Sequence, residues 1–135
     1  TFAIIMHDLD VAFGPNSEDV LHWVVWNIPA TSPVTQIEEG RLPAGSVVGR
    51  GVRNNEYMGM GAPAGVRYHH YVFEFYALSE KLDLPTTASR PELLEAIKGK
   101  VVAKAAYVGR FKSEGGPAAG PGGPGGPGPG APRPQ

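Results

Sequence analysis

A glycine- and proline-rich loop runs straight into a segment that reads as strand in Tyr57-Met-Gly-Met-Gly-Ala-Pro-Ala-Gly-Val-Arg-Tyr-His-His-Tyr-Val-Phe-Glu-Phe-Tyr-Ala-Leu78. Gly59, Gly61 and Gly65 allow close backbone approach or positive φ, and Pro63 stiffens the same loop by fixing its own φ. From Tyr68 onward aromatic and β-branched residues dominate. Period-2 geometry then puts His69, Tyr71, Phe73, Phe75 and Ala77 on one face, and Tyr68, His70, Val72, Glu74 and Tyr76 on the other. His69 and Tyr71 therefore point the same way, beside a loop that is both close-fitting and rigid.

The remaining elements arrange themselves around this strand. Phe2 to Met6 is a short apolar run suited to a buried strand. If His7-Asp-Leu-Asp10 stays extended, Asp8 and Asp10 share a face and His7 opposes them. Loop chemistry follows from Gly14 to Asp19. Leu21 to Ile28 is the next strand, with His22, Val24 and Trp26 on one face and Trp23, Val25 and Asn27 on the other. Short strands are expected at Val47-Val48 and Gly51-Val52. Ser89-Arg-Pro-Glu92 has the form of a capping box with proline in the first turn, opening a helix to about Lys98. Leu93, Leu94 and Ile97 form its apolar stripe, and Gly99 is its stop. Lys100 to Phe111 is a last strand.

These elements fill residues 1–112 of a 135-residue chain, about one domain. Residues 113–135 are almost all Gly, Pro and Ala, a composition that buries too little apolar surface to offset ordering entropy and reads as a disordered tail. The net charge of −1 and the absence of a basic run argue against a nucleic-acid partner. Cysteine is absent, which excludes thiolate zinc sites and thiol catalysis. No apolar run has the roughly 20 residues of a membrane span. The compartment stays undecided.

Four histidines and several carboxylates raise the question of catalysis. No serine lies in a Gly-x-Ser-x-Gly elbow, and Gly59-Met-Gly61 and Gly49-Arg-Gly51 are only fragments of nucleotide-binding fingerprints. Asp8, His22 and His69 could in principle gather from three strands as a metal set for a hydrolase, but no local ligand spacing supports it. The residues suit a small-anion pocket better. In that reading the loop supplies backbone amides, two imidazoles and Tyr71 supply donors, and Asp8 orients an imidazole or meets an ammonium. No nucleophile, metal or cofactor is required.

Asp8-x-Asp10, His22 in His-Trp-Val-Val-Trp-Asn, Tyr57 with Gly59-x-Gly61-x-Pro63-x-Gly65, His69-x-Tyr71 and Ser89-Arg-Pro-Glu-Leu-Leu come in an order and spacing that span Phe2 to about Lys112. As a set they resemble the phosphatidylethanolamine-binding protein (PEBP) family, which includes Raf kinase inhibitor proteins and bacterial relatives, and the chain is similar to a bacterial-type member. The resemblance implies a mainly β fold, a Greek-key β-sandwich with short peripheral helices, here lacking the family's first strands. It implies a non-enzymatic surface pocket for phosphate-like or phosphorylethanolamine groups, formed by Asp8, His22, Gly61, Pro63, His69 and Tyr71, with a kinase or a serine protease as regulated partner. An alternative is an inhibitor or scaffold whose pocket is vestigial. Leu9 and Ala12 stand where the family's Asp-Pro-Asp-Ala-Pro motif has prolines, Met60 replaces a loop proline, and His70 replaces the arginine of His-Arg-Tyr. These changes remove φ restraint and a permanent positive charge.

Overall fold

The computed structural model describes residues 1–12, 18–30, 36–62 and 67–114. Five strands, β1 (Phe2–Ala12), β2 (Asp19–Ile28), β3 (Val47–Val48), β4 (His69–Leu78) and β5 (Val101–Phe111), are joined by one helix, α1 (Arg90–Ala96). All pair antiparallel in a single sheet of order β3-β2-β1-β4-β5. The fold is mainly β, as expected, and the sandwich's second sheet is not found among the described residues. Extension of β1 through Ala12 carries His7, Asp8 and Asp10 on one strand. Gly51-Val52 forms no strand: Gly51 makes only an isolated bridge to Asn54. The expected tail lies outside the described residues from Gly115 on, and so does Pro63.

Alternation decides what each face buries. Ala3 and Ile5 of β1, Val24 and Trp26 of β2, and Tyr76 and Leu78 of β4 pack with Leu82, Ala88, Leu93 and Ile97 into one core beneath α1. Leu93 and Ile97, four apart, share a helix face, and burying Leu93 alone is worth about 1.5–3 kcal/mol. Leu94, expected in the stripe, is at its rim and 36% exposed. The capping box is formed: the Ser89 amide donates to Glu92 Oε2 at 2.7 Å, and the Ser89 side chain accepts from the Glu92 amide. Ile97 closes the helix, and Gly99 follows at φ +74°, the left-handed value favoured by glycine. Gly49 lies flat against Trp26, where a Cβ would run into the indole.

The other face carries Ile4, Val25 and Ile28, with Trp23, Leu42, Val48 and Phe73 against them. Phe73 and Phe75 stack with centroids 6.4 Å apart, and Phe75 is 38% exposed. The aromatic strand, read from sequence mainly as core, is thus only half covered on this side. At the end of β2, Asn27 takes φ +57°, and its side-chain amide exchanges two hydrogen bonds with the backbone of Leu82, at 2.9 and 2.8 Å. This pair ties the strand to the connection between β4 and α1.

Candidate functional site

Asp8 of β1 stands directly opposite Tyr71 of β4, so the two side chains share the face away from α1. His69, two residues earlier on β4, joins them: its Nδ1 donates to Asp8 Oδ2 at 2.7 Å. Asp8 Oδ1 accepts the Asp10 amide at 2.9 Å, which fixes the carboxylate from its other side. Asp8, His69 and Tyr71 are all buried.

His22 reaches the same place through an irregularity. Strict alternation puts it with Val24 and Trp26, on the helix side. However, the β1–β2 register steps from Met6↔Trp23 to His7↔Leu21, so His22 is the extra residue of a β-bulge. The bulge brings its ring edge-on to Tyr71, with centroids 5.1 Å apart. Its Nδ1 bonds the Met58 carbonyl at 3.0 Å. A carbonyl only accepts, so Nδ1 carries the proton. In both His22 and His69, therefore, Nδ1 is engaged and Nε2 is the free nitrogen. Neither Nε2 has a protein partner among the described residues.

The glycine loop completes the cluster. The Gly61 amide donates to the Tyr71 hydroxyl at 3.2 Å, and the Ala62 carbonyl accepts from the Ser113 amide and hydroxyl at 3.2 and 2.7 Å, so the end of β5 pins the loop. Burial first, and then the neighbouring Asp8 carboxylate, push the Tyr71 hydroxyl above its usual pKa, against the opposing pull of the Gly61 amide. Tyr71 therefore stays a neutral hydroxyl. Next to the cluster, Trp23 and Tyr57 meet edge-on at 5.4 Å, and Tyr57 is 53% exposed.

Of the expected site residues, Asp8, His22, Gly61, His69 and Tyr71 come together, and Pro63 lies outside the described residues. His70 points elsewhere. Its amide and Nδ1 both bond Asp10 Oδ2, at 2.6 and 2.9 Å, and its backbone bond leads the interactions that lower the Asp10 pKa. Sequence reasoning missed the Met58 carbonyl and Ser113, which act through backbone and long-range contacts that leave no side-chain pattern. Among the described residues no three His, Cys, Asp or Glu side chains are placed to hold a metal ion. A groove of about 520 Å³ lies elsewhere, between Leu21, Arg50 and the start of α1. Two of the charged side chains lining it, Asp19 and Arg90, are paired with each other.

The fold and this cluster define a small β-sheet protein with a buried aspartate–histidine–tyrosine cluster at one end of the sheet. The chain belongs to the phosphatidylethanolamine-binding protein family, whose profile matches residues 1–112. It is 42% identical over 97 residues to a UPF0098 protein of Methanothermobacter thermautotrophicus, covering 67% of this chain and 62% of that one. To a UPF0098 protein of Aquifex aeolicus it is 33% identical over 118 residues, covering 84% and 67%. Two solved structures are similar over 84% of this chain. They are Escherichia coli YbcL, described as a member of the mammalian PEBP family (TM-score 0.66, 28% identity, 71% of that chain), and the PEBP homologue CT736 of Chlamydia trachomatis (TM-score 0.68, 26% identity, 72% of that chain). The chain thus spans about two thirds of the length of these relatives. Among the described residues, no helix is long and apolar enough to cross a membrane.

Proposed function

We propose that the chain is a non-enzymatic binding module that holds a small phosphate-bearing group, of the phosphorylethanolamine type, over His22, His69, Tyr71 and Gly61. The observation that carries this reading is the pair of imidazoles whose Nδ1 atoms are tied down while neither Nε2 has a partner among the described residues, beside a neutral tyrosine hydroxyl. Protonated, each Nε2 donates to a phosphate oxygen, and a charge-assisted bond of this kind is about twice as strong as a neutral one. Asp8 orients His69 and offsets its charge, so a bound dianion faces a site that is not strongly cationic by itself. The exposed ring of Tyr57 beside Trp23 offers an aromatic surface to an ammonium group, which favours a zwitterionic ligand over bare phosphate. Regulation of a kinase or a serine protease would use the same rim, where Tyr57 and Met60 are exposed.

Titration with phosphorylethanolamine, following the imidazole NMR signals, tests the reading. Saturable shifts of both His22 and His69, abolished by Tyr71→Ala or His22→Ala, are expected. Silence of both rings at millimolar ligand would sink it. In that case, inhibition of a kinase or protease that survives His22→Ala would place the function on the rim.

A further inference from the structure

The two edges of the sheet are unlike. One ends in β3, only two residues long, and so short an edge offers little to pair with. The other is β5, eleven residues long and exposed along almost its whole length. Val102 is 68% exposed, Tyr107 64%, Val108 53% and Val101 42%. Among the described residues nothing pairs with its outer side.

Natural edges are usually guarded by proline, by bulges or by charges held outward. β5 has no proline and no carboxylate, and it pairs with β4 without a bulge from Ala103 to Phe111. Its two cations are turned back onto their own sheet. Lys104 Nζ lies 2.9 Å from Glu74 and 4.8 Å above the Tyr76 ring, and Arg110 lies 5.2 Å above the Tyr68 ring. Lys112 occupies that same ring at 4.8 Å. Among the described residues the edge is therefore open and largely apolar, with Lys104 held by a carboxylate and Arg110 and Lys112 drawn over a ring. The Gly/Pro segment that follows is a poor occupant, because proline has no N–H to give to a ladder.

We propose that β5 pairs antiparallel with β5 of a second copy of this chain, about a two-fold axis at Ala106, joining two five-stranded sheets into one. In that register Tyr107 faces the partner's Ala105, Phe111 faces the partner's Val101, and Ala103 faces the partner's Gly109. Lys104 faces the partner's Val108, and Arg110 faces the partner's Val102. Each large side chain meets a smaller one, and within the strand no cation stands opposite another; Lys112 and the partner's Lys100 meet only beyond its ends. Other registers are worse. An axis at Lys104 sets that lysine against itself, one at Tyr107 sets Lys104 against Arg110, and one at Val108 sets Lys104 against Lys112. Like charges directly opposite in a ladder are destabilising. An axis at Ala105 sets Arg110 against Lys100 and pairs a shorter stretch.

Sedimentation of the full 135-residue chain from micromolar to millimolar concentration reads the association. A concentration-dependent dimer is expected. Ala106→Glu and Ala106→Lys, both at an exposed position, should each be monomeric, and mixing the two should restore a dimer. The chain has no cysteine, so Ala106→Cys adds a single thiol that sits opposite its own copy. Under mild oxidation it should cross-link faster than Lys104→Cys or Val108→Cys. A monomer at every concentration overturns the proposal. So does a dimer indifferent to Ala106→Glu, or a cross-linking maximum at another position. Slow hydrogen exchange along the outer β5 amides of a monomer would also overturn it, by showing the edge covered within one chain.

Discussion

His7 and Asp8 are neighbours on β1, and each sits in a buried histidine–carboxylate cluster, one on either face of the sheet. Beneath α1, His7 Nδ1 bonds Asp19 at 2.5 Å, and its Nε2 faces Glu74 at 3.2 Å. Asp19 also pairs with Arg90, and Glu74 takes Lys104 at 2.9 Å and the Tyr76 hydroxyl at 2.7 Å. Arg90 is a further 3.6 Å from Glu74. The Nε2 of His7 is sealed from solvent, and its angle to Glu74 is too poor for a hydrogen bond, so the contact is an electrostatic one. On the opposite face, His22 and His69 each spend one nitrogen on the protein, and the other has no partner among the described residues. Under α1 the charges are answered by other side chains, and the cluster fastens β1, β2, β4 and α1 together; on the opposite face a ring nitrogen is left over on each histidine, and there the proposed ligand would sit.

The strongest way to break this comparison is at Glu74. Replacing it with alanine leaves His7, Arg90 and Lys104 without their shared carboxylate. The expected loss is about 3 kcal/mol, near the lower end for breaking a buried pair because half-exposed Lys104 can turn into water. A urea denaturation midpoint measures it, and phosphorylethanolamine affinity should stay unchanged. A variant that keeps its stability but loses its ligand would reverse the roles assigned to the two faces.

Next in size are the histidines themselves. His22→Ala and His69→Ala should each weaken phosphorylethanolamine binding roughly ten- to a hundredfold, the value of a hydrogen bond to a charged group. His7→Ala should leave affinity intact and lower the unfolding midpoint. Calorimetric titration of the three variants side by side separates the two faces. Equal effects of His7 and His69 on affinity would mean that the sheet transmits what the geometry says it insulates.

Much of this was legible in the sequence, and the exceptions are instructive. The alternation of β4 placed His69 with Tyr71, and that of β1 placed Asp8 away from His7, because period-2 geometry holds wherever pairing is regular. The capping box fixed the start of α1 for the same local reason. His22 was placed on the wrong face, since a bulge is set by how two strands meet and leaves little trace in either one. The ionic cluster under α1 was also unread. It joins residues as far apart as Asp19 and Arg90, which only the fold makes neighbours. Gly51-Val52 looked like strand by composition but formed only a single bridge.

Tyr71→Phe sharpens the comparison at smaller scale. The ring and its packing against His22 remain, but the Gly61 amide loses its acceptor, at a cost of about 1 kcal/mol. Ligand affinity should fall severalfold with little change in the backbone spectrum. Because the folded-state pKa of Tyr71 is raised, its contribution to stability is complete below the tyrosine's ordinary value and disappears as pH climbs through the folded one. The phenylalanine variant should therefore show a shallower alkaline limb in a pH series of denaturation midpoints.

The acid limb separates Glu74 from Asp10, and the effect at Asp10 is the smallest. Burial alone would raise the Glu74 pKa, but bonds from Lys104 and Tyr76 and the nearby charges overcome it and hold the carboxyl below its ordinary range. Asp10 is lowered mainly by the His70 amide. For both groups the folded-state pKa is depressed. Their stabilisation is present above the ordinary carboxylate range and is lost as pH falls through the depressed value. Glu74 stands inside the ionic cluster, whereas Asp10 is close to solvent, where screening leaves such a pair a few tenths of a kcal/mol. An Asn at position 10 would still accept the His70 amide through its side-chain carbonyl. Asp10→Asn should accordingly flatten the acid limb barely at all and Glu74→Gln clearly. An acid limb dominated by Asp10 would show that the strand end beside the pocket, rather than the cluster under α1, holds the sheet together at low pH.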